Sequence, residues 1–191
     1  MANKIIFVVG MAGSGKSIVS DELAKKGFAY VRFGQINIDE IKKRELEVNE
    51  TNEKMVREEL RKKYGMGALA TLNIQKFDEF FKNSNVVGDG LYSWTEYKIL
   101  KEKYGEEMYV LAVYAPPELR YERLENREVK NDADSRFRSI PKEKSKSRDY
   151  SEIEDIEKGG PIAMADFTII NTGAVEDVKI QLNKFLAEIN K

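Results

Sequence analysis

The stretch IIFVVGMAGSGKSIVSDELAKKG, Ile5 to Gly27, divides into three parts of different character. Ile5-Ile6-Phe7-Val8-Val9 is a continuous apolar, β-branched run, the pattern of a parallel strand buried on both faces. Downstream, Ile18, Val19, Leu23 and Ala24 recur at helical spacing, and Gly27 after Lys25 and Lys26 supplies a left-handed stop. Between them, Gly10-Met11-Ala12-Gly13-Ser14-Gly15-Lys16-Ser17 satisfies G-x-x-x-x-G-K-[ST] at every fixed position. Glycines at 10, 13 and 15 let the backbone curl so that successive N–H groups converge on an anion at a helix N-terminus. In such a cradle Lys16 reaches the β- and γ-phosphates of ATP and Ser17 ligates Mg²⁺. A glycine-rich turn without a ligand has no need of the Gly15-Lys16-Ser17 ending.

The rest of the composition narrows the chemistry. A chain of 191 residues suits one domain with a full core, 1–191. Charged residues make up 34%, above the usual share of about 25%, so the surface is heavily charged. The net charge is nevertheless −1, which gives no bulk attraction to nucleic acid or to an acidic membrane. With no cysteine and no histidine, disulfides, Cys/His zinc sites, Cys nucleophiles and His-dependent triads are excluded. Met1 runs into the first strand at Lys4 without space for a signal peptide, and no apolar run approaches the ~20 residues of a membrane span. A cytoplasmic protein with no membrane partner is the expectation.

Four further apolar runs, Phe28 to Phe33, Asn85 to Gly88, Met108 to Tyr114 and Phe167 to Ile170, alternate with helical patterns. The alternation predicts a three-layer α/β/α fold on a five-stranded parallel sheet, with ligands at the carboxyl ends of the strands. Residues 36–84 form a helical insertion, charged at first and apolar later at Leu69, Leu72, Phe77, Phe80 and Phe81, read as an acceptor-binding flap over the sheet edge. Across 128–156 the apolar signal nearly vanishes, and Arg136 to Arg148 holds six basic residues against one acidic. That segment reads as a mobile cationic lid, since a loop of such length in a compact domain is more often functional than idle. The pattern at Val178, Leu182, Phe185, Leu186 and Ile189 marks the last helix as core packing.

These pieces resemble the nucleoside monophosphate kinases and their relatives, the dephospho-coenzyme A kinases, over most of the chain. VVGMAGSGKS is similar to that family's phosphate loop, and VVGDG to the third-strand segment whose aspartate helps hold magnesium. VLAVYAPPELRYERLENRE resembles the fourth strand and the arginine-bearing helix before the lid, and ADFTIINTGAVEDV the last strand and the loop bordering the adenine. The resemblance implies Mg-ATP as donor, with Gly10 to Ser17 holding its phosphates and Ser17 and Asp89 its metal. It also implies Arg123, Arg127 and Arg148 near the transferring phosphate, and Asn171, Thr172, Gly173 and Ala174 along the base. Two stretches depart from the family: Asp89-Gly90-Leu91-Tyr92-Ser93-Trp94 has no arginine after the aspartate, and Phe33-Gly34-Gln35-Ile36-Asn37 lacks the usual Asp or Arg.

The acceptor is therefore read from the residues alone. A phosphate oxygen is already anionic and needs no general base, whereas a hydroxyl wants a carboxylate nearby. Gln35 and Asn37 after the second strand favour a nucleoside monophosphate over dephospho-coenzyme A, with Asp89 or Asp39 as the base in the alternative. Arg57 and Arg61, and after them Arg32, are the candidates for the acceptor phosphate, and Tyr92 and Trp94 for stacking on its base. Surface salt bridges and core packing are the competing readings of those residues. A different class, an ATP-binding switch or ATPase acting on a macromolecular partner, shares the loop but needs no cationic lid. A nucleic-acid kinase would use the basic segment along a backbone, against the near-neutral net charge.

Overall fold

The computed structural model describes residues 3–128 and 139–191. Five parallel strands, β1 (Ile5–Val9), β2 (Ala29–Arg32), β3 (Val86–Asp89), β4 (Met108–Tyr114) and β5 (Phe167–Ile170), form one sheet in the order β2-β3-β1-β4-β5. β1 is central: Ile5 is in register with Val86 on one side and Met108 on the other. Its alternate residues serve two cores. Ile5, Phe7 and Val9 pack with Leu69, Phe77 and Leu100 on one face, while Ile6 and Val8 pack with Val19, Leu182 and Phe185 on the other. The unbroken apolar run of β1 is the consequence of burial on both faces. Gly88 in β3 has no side chain because a Cβ there would lie 2.5 Å from the Phe7 ring.

Among the described residues, helices α1 (Lys16–Lys25) and α9 (Val175–Ile189) cover the second face. The insertion contains α2 (Gln35–Lys43), α3 (Glu50–Tyr64) and α4 (Ala68–Phe81). Leu69 and Phe77 of α4 are fully buried in the first core, and Phe77 packs edge-on to Phe7 at 5.2 Å, so α4 is scaffold rather than flap. α5 (Trp94–Tyr104) covers the same face, and α6 (Pro117–Glu125) follows β4.

The expected mobile lid is corrected in part. Arg136 and Arg138 lie outside the described residues, but Lys142–Glu154 is a regular helix, α7, followed by the short α8 (Gly159–Ala163). Its buried residues are Ser145, Asp149 and Glu152, a polar stripe at i, i+4 and i+7. Helical periodicity is present there, written in polar residues that hydrophobic patterning does not register. No helix among the described residues is long and apolar enough to cross a membrane.

Candidate active site

A cleft of about 790 Å³ opens at the carboxyl ends of β1 and β3, floored by the loop between β1 and α1. Gly10, Gly13 and Gly15 all take positive φ, at 143°, 78° and 99°. A side chain would strike backbone or bracing groups at each: the Val113 carbonyl 2.4 Å from a Cβ on Gly10, the Arg120 carbonyl 2.6 Å from one on Gly13, and Asn171 Nδ2 2.1 Å from one on Gly15. The loop is thus pressed against β4, α6 and the turn after β5. α1 starts at Lys16 with no side-chain cap; the Ile18 N–H turns back to the Gly15 carbonyl at 3.0 Å, which leaves the N–H groups of Lys16 and Ser17 at the helix start set to meet an anion.

Lys16 Nζ donates to the carbonyls of Gly10 and Met11 at 2.9 and 3.0 Å. Burial, then the nearby Lys158 ammonium, lowers its pKa to about 7. Ser17 lines the cleft, as does Asp89, whose Oδ2 accepts from the Tyr30 hydroxyl at 2.8 Å. A cradle that only glycines can form, with a serine and a carboxylate on the same wall, fits a magnesium-bound polyphosphate. Ser17 and Asp89 are the residues that would hold its metal.

The base-side residues divide. Arg123 Nη1 donates to the Asn171 carbonyl at 3.0 Å, and Asn171 Nδ2 donates to the Ser14 carbonyl at 2.8 Å. Both therefore brace the loop from behind, and Arg123 is not among the residues lining the cleft, whereas Arg127 is. Thr172, Gly173 and Ala174 are exposed, and neither they nor Asn171 are among the residues lining the cleft.

On the α7 side, Arg148 faces the cleft. Its Nε donates to Glu152 Oε1 at 2.9 Å, and Lys158 Nζ donates to Glu152 Oε2 at 2.6 Å. Burial alone would raise the Glu152 pKa, but the Lys158 and Arg148 cations outweigh it and hold the carboxyl well below its usual range. One residue along, buried Asp149 meets Arg120, whose Nη1 donates to Asp149 Oδ1 and to the Ala12 carbonyl, each at 3.0 Å. The Tyr121 hydroxyl also donates to Asp149. Arg120 thus ties α7 to the phosphate loop. Arg120, Asp149, Glu152 and Lys158 are absent from the sequence reading.

The opposite half of the cleft carries Arg32, Arg57 and Arg61 with Asn37 and Tyr92. Arg61 Nε and Nη2 are enclosed and make no hydrogen bond among the described residues; burial lowers its pKa, against the pull of Glu96. Tyr92 presses its hydroxyl against Gly34 and Gly90, and burial, then Asp89, pushes it up to about 12. Trp94 is not among the cleft-lining residues: it stacks on Tyr97 at 4.9 Å and Gly160 packs against it, so of the two expected stacking aromatics only Tyr92 lines the cleft.

A phosphate loop at the carboxyl end of the central strand of a parallel 2-3-1-4-5 sheet defines a P-loop kinase-like protein. Residues 6–157 match the AAA domain family AAA_18. The sequence is 36% identical to UPF0200 protein TK1334 of Thermococcus kodakarensis over 187 residues, 97% of each chain. A UPF0200 protein of Methanosarcina mazei is 36% identical over 132 residues, covering 69% of this chain and 70% of that one. The chain belongs to the AAA_18 family, and its sequence groups with the UPF0200 proteins. Its fold is similar to that of TT1252 from Thermus thermophilus, with TM-score 0.64 at 17% identity and 98% coverage of both chains. It is also similar to a shikimate kinase from Acinetobacter baumannii in complex with shikimate, with TM-score 0.54 at 21% identity, covering 97% of this chain and 94% of that one.

Proposed function

We propose that this protein transfers the γ-phosphoryl group of Mg-ATP to a small phosphorylated acceptor, with a nucleoside monophosphate as the leading candidate. The observation that carries the reading is Arg61, whose enclosed Nε and Nη2 find no hydrogen-bond partner among the described residues and which lines the same cleft as Lys16. A buried unpaired guanidinium is costly, and an anionic ligand offsets that cost with charge-assisted bonds. Arg57 and Arg32 beside it reinforce the anion subsite.

The loop N–H groups and Lys16 bind the donor phosphates, while Arg127 and Arg148 neutralise the charge that develops on the transferring group. Ser17 and Asp89 would hold a magnesium ion, which would neutralise charge on the phosphates. Tyr92, Arg57 and Arg61 orient the acceptor so that its oxygen forms a bond to the γ-phosphorus while the bridging bond to ADP breaks. With an acceptor phosphate no proton need be removed.

A second reading is transfer to a hydroxyl, favoured by Asp89, a carboxylate on the cleft wall that can take the hydroxyl proton. The structurally similar shikimate kinase carries shikimate, a hydroxy acid. ADP release from Mg-ATP is measured with each ribo- and deoxyribonucleoside monophosphate, dephospho-coenzyme A and shikimate, beside the Lys16→Ala protein. Stimulation by one monophosphate, absent in Lys16→Ala, is the expected result. Stimulation by a hydroxyl acceptor alone transfers the case to the second reading. Slow release indifferent to every acceptor overturns both in favour of an ATPase or switch.

A further inference from the structure

Two buried ion pairs flank the cleft arginine of α7. On one side Asp149 is held by Arg120, and on the other Glu152 is held by Lys158, whose side chain is only 3% exposed. Glu152 is shared: one carboxylate oxygen takes Lys158 Nζ, the other takes Arg148 Nε. Lys158 is itself fixed three ways. Its backbone N–H donates to the Glu152 carbonyl at 3.0 Å, its ammonium lies 5.1 Å from the centre of the Tyr92 ring, and it opens α8, which packs through Gly160 onto Trp94.

An Arg–Glu pair at i, i+4 on an exposed helix face is a weak restraint, because both long side chains sample other rotamers. Here the carboxylate cannot wander. Its second oxygen is engaged by a buried lysine, so the Nε edge of Arg148 meets a stationary partner, and the orientation of the guanidinium plane follows. We propose that Glu152 is the positioning residue of Arg148, and that Lys158 serves it by holding the carboxylate in place. This rests on Arg148 acting on the transferring phosphate, as argued above. The lowered pKa of Glu152, held charged by Lys158 and Arg148 against its burial, accords with a permanent anion in this role. Lys158 is not among the cleft-lining residues, so its part is played through Glu152.

The test separates positioning from scaffolding. Glu152→Asp keeps the charge opposite Lys158 but withdraws the carboxylate from Arg148 by one methylene. Glu152→Gln with Lys158→Met removes both charges of the buried pair. The expected result is that Glu152→Asp and Glu152→Gln lower kcat by about 10- to 100-fold, the scale of a misplaced catalytic group, while KM for Mg-ATP stays within about threefold. The double variant regains the unfolding midpoint that Glu152→Gln loses, but not the kcat. Recovery of kcat in the double variant, or a near-normal kcat in Glu152→Asp, overturns the proposal and leaves an ion pair that only supports the fold.

A second readout needs no turnover. The Arg148 Nε–H NMR signal, assigned by its loss in Arg148→Lys, shifts or broadens in Glu152→Asp and Glu152→Gln if Glu152 sets its geometry. An unchanged signal overturns the proposal even if the protein phosphorylates nothing. Absence of acceptor-stimulated turnover in the unaltered protein, by contrast, defeats the phosphotransfer reading and leaves the positioning contact to be decided by that signal.

Discussion

Lys16 carries a titration that its neighbours impose. Its ordinary pKa of 10.5 falls to about 7 through burial, and then through the nearby Lys158. The unfolded chain keeps this proton until about pH 10.4. Between pH 7 and 10.5 the unfolded state therefore binds more protons than the native one, and stability contributed at this site rises with pH across that window. Below pH 7 the penalty of the buried charge is fully present. Lys16→Met removes the group, so the rise in urea midpoint from pH 7 to pH 9.5 is expected to be smaller in that variant than in the parent; an equal rise would place the titration elsewhere. The same lysine donates to the carbonyls of its own loop, a posture that polyphosphate oxygens compete with. Charge at this residue and occupation of the cradle are thus two readings of one equilibrium.

At the scale of elements, α7 is held by polar rather than apolar contacts. Arg120 and Asp149 have side chains only 5% and 8% exposed, and their pair joins α6, α7 and the Ala12 carbonyl. Removing one partner strands the other, at a cost of about 3–5 kcal/mol. Asp149→Ala and Arg120→Ala are each expected to lose that much in urea denaturation, and Arg120→Met with Asp149→Leu to recover most of it. Losses below about 1 kcal/mol would mean that the pair is solvent-screened. The same feature explains what was legible beforehand. β4 begins and ends where its apolar run does, because a strand buried by neighbouring elements writes its limits in hydrophobicity; β5 keeps the bounds of its run although, at the sheet edge, only Ile169 of it is buried. α7 was hidden because its buried stripe is Ser145, Asp149 and Glu152. Which arginine of α6 turns inward was equally hidden: Arg120 is buried with Tyr121 and Leu124, its backbone against Gly13, and the spacing of the arginines does not distinguish it from Arg123. The glycines of the phosphate loop, by contrast, are demanded by local geometry and so were readable at once.

For the whole molecule, the contrast is between a nearly neutral protein and a cationic cleft. The net charge is −1, yet the described cleft-lining residues include eight basic against five acidic side chains. Such a cleft focuses its field toward incoming anions while the surface as a whole attracts none. The association rate of a fluorescent ATP analogue, followed by stopped flow, is expected to fall several-fold from about 50 to 500 mM salt as the Debye length shortens, with dissociation little changed. A salt-independent association rate would mean that the acidic residues cancel the field at the entrance.

The central position of β1 reaches further than the site it supports. Ile5 to Val9 leaves the ribosome well ahead of its hydrogen-bonding partners, which begin only at Val86 and Met108. At roughly 5–20 residues per second of synthesis, this apolar segment waits on the order of 5–20 s for both edges to be covered. Five consecutive apolar residues with unpaired backbone are a template for aggregation during that interval. The strand that places the phosphate loop at the middle of the sheet is therefore also a stretch of the nascent chain that a chaperone would shield until β3 and β4 arrive.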